Sequence, residues 1–109
     1  MKKHQALKQL SNSLEGLQGG LLIFPSGANE FLFTYGYALH YKEVEALKLP
    51  LEDLGLYNVI REALVSSEAL GHEGKYDEAA KVVLDANRKL FRATGEEDDL
   101  RSRYKAVND

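Results

Sequence analysis

The sequence contains no cysteine, only two prolines, and no unbroken apolar run long enough to cross a bilayer. Without cysteine there can be no disulfide, thiolate nucleophile or cysteine metal site. The longest uncharged stretch, residues 16–29, is interrupted by Gly19, Gly20, Pro25 and Gly27 and closed by Glu30. A membrane span needs roughly 20 consecutive apolar residues. Concentrated positive charge is lacking too: the net charge is −3, which offers no field for a phosphate backbone. Met1-Lys2-Lys3 is basic, but a polar helical pattern follows where a secretory signal would place an apolar core. The expected setting is the cytoplasm, with no membrane and no nucleic-acid partner.

What is present is the composition of a folded domain. Of 109 residues, 44% are hydrophobic and 28% charged, enough to build one core over residues 1–109 without staples. Charge is mildly uneven, with five lysines against four glutamates in residues 1–50 and nine bases against thirteen acids in residues 51–109. That acidic half is accounted for by a solvated surface and leans only slightly toward a basic partner.

Helical periodicity is clearest from Leu56 to Phe91. Leu56, Val59, Ile60, Ala63, Ser67 and Leu70 share one face, and Tyr76, Ala79, Ala80, Val83, Asn87 and Leu90 share another. Between them Gly71-His72-Glu73-Gly74 supplies two glycines for a reversal that needs positive φ. The pattern predicts two antiparallel helices, with small residues where they approach. The run Gly74-Lys75-Tyr76-Asp77-Glu78-Ala79, followed by Val83 and Ala86, resembles the second half of a tetratricopeptide repeat. In that family a glycine precedes an aromatic and an alanine sits at the helix crossing. The first half departs from it, with Ser67 at the usual glycine and Ala63 at the usual large aromatic. The resemblance covers residues 57–91, about one repeat where solenoids need three or more, and it implies a helical hairpin and peptide or protein binding.

Upstream, Leu7, Leu10, Leu14 and Leu17 stripe a helix over residues 3–17, expected to end among Gly16, Gly19 and Gly20. Residues 21–37 read as a β-hairpin: Leu21 to Phe24 is a short apolar run, residues 25–29 are turn-forming, and Phe31, Phe33, Tyr35 and Tyr37 alternate. The fold class expected is therefore α+β and α-rich. The competing reading is all-α, with Phe31 to Leu47 as a helix capped near Ser26 or Asn29. Residues 38–49 turn helical until Pro50, and Glu52 and Asp53 are expected in the first turn of the next helix. Thr94 and Glu97 stand at capping-box spacing before Leu100, Tyr104 and Val107, which predicts a short terminal helix.

No constellation carries catalysis. His4, His40 and His72 read as surface or capping residues; the pairs His40/Glu43 and Glu68/His72 share helical spacing but form no known ligand motif. Glu43/Glu45, Glu96/Glu97 and Asp98/Asp99 all sit in polar contexts where a shifted general acid is not expected. No cofactor, metal or catalytic residue is expected. The feature that rises above background is aromatic density: Phe31, Phe33, Tyr35, Tyr37 and Tyr41 fall within eleven residues that contain no lysine or arginine. Core packing explains such a cluster, and so does a recognition surface, because aromatics give large contact area at low entropic cost. These five are the candidate partner-binding residues. The function expected is non-enzymatic protein–protein interaction (adaptor, chaperone or inhibitor), with another protein or a second copy as partner. The alternatives are a ligand-binding or enzymatic module with a pocket between hairpin and helices, and a self-assembling structural subunit.

Overall fold

A leucine every third or fourth position continues past residue 17, and the first helix follows it. A computed structural model describes residues 3–24 and 31–95. In it α1 runs Lys3–Ile23, straight through Gly16, Gly19 and Gly20. Leu21 extends the stripe of Leu7, Leu10, Leu14 and Leu17, and all five are buried. The two glycines beyond Leu17, Gly19 and Gly20, together cost a helix roughly 1–2 kcal/mol relative to alanine. Burying one more leucine is worth about 1.5–3 kcal/mol, so the helix does not stop at the glycines. Gly16 and Gly19 have no described atom within 4 Å of where a Cβ would stand. The double variant Gly16→Ala/Gly19→Ala is therefore expected to raise stability by about 1–2 kcal/mol. Urea denaturation checks this, and a loss of stability would mean that something packs on those glycines.

The expected β-hairpin over residues 21–37 is absent, and the architecture is all-α among the described residues. Leu21–Ile23 closes α1, and Leu32–Gly36 forms a π-helical turn that runs directly into α2, Tyr37–Ala46. A period of two does not distinguish strand from helix in so short a segment. Residues alternating at i, i+2 and i+4 satisfy a strand, but every second pair is also an i, i+4 neighbour on a helix. Phe31 stacks on Tyr35 at 5.5 Å and Phe33 on Tyr37 at 5.7 Å between ring centroids. The turn residues 25–29 and the terminal helix expected after Gly95 lie outside the described residues. At the end of the helix Tyr76–Ala93, Thr94 donates from Oγ1 to the Phe91 carbonyl at 3.1 Å.

Pro50 does not end α2. The chain breaks at Leu47, and Pro50 falls in the first turn of a short α3, Lys48–Asp53, where a missing N–H costs nothing. Glu52 and Asp53 accordingly end α3 rather than begin the next helix. Gly55, at φ 71°, turns the chain into α4, Tyr57–His72, and Gly74, at φ 79°, turns it into α5, Tyr76–Ala93. Only Gly74 supplies the positive φ of that reversal; Gly71 remains helical and buried.

Cross-helix pairings set the topology. Phe24 meets Tyr76 and Ser11 meets Asn87, so α1 and α5 run antiparallel. Ser13 meets His40 while Gly20 faces Leu32, so α1 and α2 are antiparallel too. Tyr37 bonds Ser67 and Glu45 faces Arg61, which opposes α2 to α4. The four long helices therefore alternate in direction around one core, a four-helix arrangement. The core is built from the α1 leucines with Tyr37, Val44, Leu51, Ile60, Leu64, Ala79, Ala80, Val83 and Leu90. Ala79 and Ala80 are small enough to let the helices close on α5, as the sequence pattern anticipates.

Candidate functional site

The aromatic segment divides into an inner and an outer row. In the π turn the Tyr37 N–H donates to the Leu32 carbonyl, one residue further than an α-helix allows, and such turns recur at functional sites. Along the outer row Phe31, Tyr35 and Leu39 are 65%, 61% and 58% exposed. They are spaced by four residues and so line one helix face.

The inner row holds the segment down. Phe33 lies over Gly71, where a Cβ would come within 2.5 Å of two ring carbons. Its ring also contacts Phe24 at 5.1 Å edge-on, His72 at 5.0 Å and Tyr76 at 6.5 Å. Tyr37 is only 1% exposed. Its hydroxyl donates to Ser67 Oγ at 2.9 Å, and Ser67 in turn donates to the Leu64 carbonyl at 3.1 Å. Burial pushes the Tyr37 phenol up to about 12, against the lowering effect of the Ser67 bond. Tyr41 donates to Glu68 Oε1 at 3.0 Å, and burial, together with that carboxylate, holds its phenol at about 12 as well. Both are therefore neutral hydrogen-bond donors at physiological pH. Of the five sequence candidates, then, Phe31 and Tyr35 face outward, while Phe33, Tyr37 and Tyr41 fix the helix that presents them. Leu39 completes the outer row and was not among the candidates; its spacing of four from Tyr35 was the available signal.

A second cluster joins α1 to α2. His40 Nδ1 lies 2.9 Å from Glu43 Oε1 and 3.1 Å from Ser13 Oγ, and Ser13 donates to the same Glu43 oxygen at 2.8 Å. A serine, a histidine and a carboxylate suggest nucleophilic catalysis. A relay, however, needs the serine at one ring nitrogen and the acid at the other. Here both meet Nδ1, and the serine proton is directed to the carboxylate. The geometry is that of a helix-to-helix tie. Ser11 and Asn87 form another: Ser11 Oγ donates to Asn87 Oδ1 at 2.9 Å, and Asn87 Nδ2 donates back to the Ser11 carbonyl at 3.1 Å.

The remaining chemistry is sparse. Tyr57 donates to Glu45, which faces Arg61 at 3.8 Å, and Lys48 Nζ sits 5.3 Å from the Tyr57 ring centroid. This network is exposed and pairs one carboxylate with two cations around a neutral phenol. The described residues hold no group of three or more His, Asp or Glu side chains able to hold a metal. No helix among them is long and apolar enough to cross a membrane. Two open surface depressions, of about 270 Å³ beside Arg61 and about 230 Å³ beside Asn87, fall below the usual ~300–1,000 Å³ of ligand pockets. Neither is lined by His40 or by an aromatic of the 31–41 segment. No family model matches the chain, and no curated protein or solved structure is significantly similar to it.

Proposed function

We propose that the chain is a non-enzymatic protein-binding domain of adaptor, chaperone or inhibitor type, with the outer row of α2 as its recognition surface. The observation that carries this reading is the exposure of Phe31, Tyr35 and Leu39, between 58% and 65%, along one helix face. Leaving two aromatics and a leucine in water forgoes roughly 25 cal/mol for each Å² of apolar surface that could be covered. Contiguous exposure of this kind is how protein-contact sites announce themselves. From residue 31 to residue 41 there is no acid and no lysine or arginine, so a partner covering the row desolvates no fixed charge. Aromatic anchors with a tyrosine hydroxyl at the rim are the side chains that tolerate both the wet and the covered state. The pair α4 and α5 serves as the platform, and the cytoplasm is the setting proposed for it, testable by cell fractionation.

The test is the double variant Phe31→Ala/Tyr35→Ala, compared with the parent chain for folding and for binding to a partner purified from the native host. Unfolding free energy is expected to change by less than about 0.5 kcal/mol, the usual range for surface positions. Affinity is expected to fall at least ~10-fold, as for interface anchors. Unchanged affinity in a folded variant removes this face from the proposal. Sedimentation of the parent chain covers self-association as the partner. A dimer that the double variant converts to monomer would make a second copy the occupant of this row.

A further inference from the structure

We draw no further inference here: the strongest candidate, the exposed apolar patch of Leu22 and Ile23 at the C-terminal end of α1, carries nothing because nothing in the structure shows what covers it.

Discussion

Replacing Gly71 by alanine is expected to destabilise the protein by about 1–3 kcal/mol, the usual penalty for an extra methyl group in a filled site. In an ordinary helix the same change would stabilise by roughly 0.5–1 kcal/mol. The sign reverses here because Gly71 is the floor on which Phe33 rests: a Cβ would lie 2.5 Å from both Cε1 and Cζ of that ring. The ring must swing away, and it takes with it the contacts to Phe24, His72 and Tyr76. The decisive control is the same substitution in a Phe33→Ala background. With the ring gone, Gly71→Ala is expected to be neutral or stabilising, so the two residues are strongly coupled. Urea unfolding of the four proteins measures this. Equal effects of Gly71→Ala in both backgrounds would mean that Phe33 does not lie on α4.

Above pH 10 the protein is expected to lose stability in a way that depends on Tyr37. Its phenol is held at about 12 in the fold against an ordinary value of 10.0, chiefly by burial. Folding thus favours the neutral form, and the contribution is intact below pH 10. It declines as pH rises from 10 toward 12, because the unfolded chain ionises and the folded one does not. Two pH units at about 1.4 kcal/mol each place the loss on the order of 2–3 kcal/mol. Tyr41 adds in the same direction, with less weight because it is partly solvated. Tyr37→Phe isolates the effect. It should cost about 1 kcal/mol at neutral pH through the lost hydrogen bond, yet show a shallower decline from pH 10 to pH 12. Parallel pH profiles for parent and variant would contradict the burial of that hydroxyl.

The two-helix platform was legible because its residues agree at several levels. Ile60, Val83, Leu90 and the small pair Ala79 and Ala80 are helix-spaced, and Gly74 marks the turn. One core residue of that platform was passed over: Leu64, almost fully buried, because Ala63 beside it fits the same stripe. The end of α1 is not legible for a different reason. Glycine propensity is local and small, whereas Leu21 is buried beside Gly71 of α4, which no window around residue 20 contains. The aromatic segment failed for a third reason, since alternation at two cannot be told from pairs at four without knowing what lies beneath. What lies beneath is Gly71, almost forty residues away, and its part in seating Phe33 was hidden by its plausible part in the turn. The split of the aromatics into rows was likewise beyond reach. Periodicity groups Phe31 with Tyr35 and Phe33 with Tyr37, but only α4 decides which pair is covered.

The central claim is that residues 31–46 form a helix seated on α4, with one aromatic row beneath it and one in water. NMR of the isotopically labelled chain tests it most directly. The account predicts helical Cα secondary shifts from residue 31 to residue 46. It also predicts a nuclear Overhauser contact from the Phe33 ring to the Gly71 Hα protons, which the ring current moves upfield. Extended shifts at residues 31–37, with cross-strand contacts to residues 21–24, would contradict it.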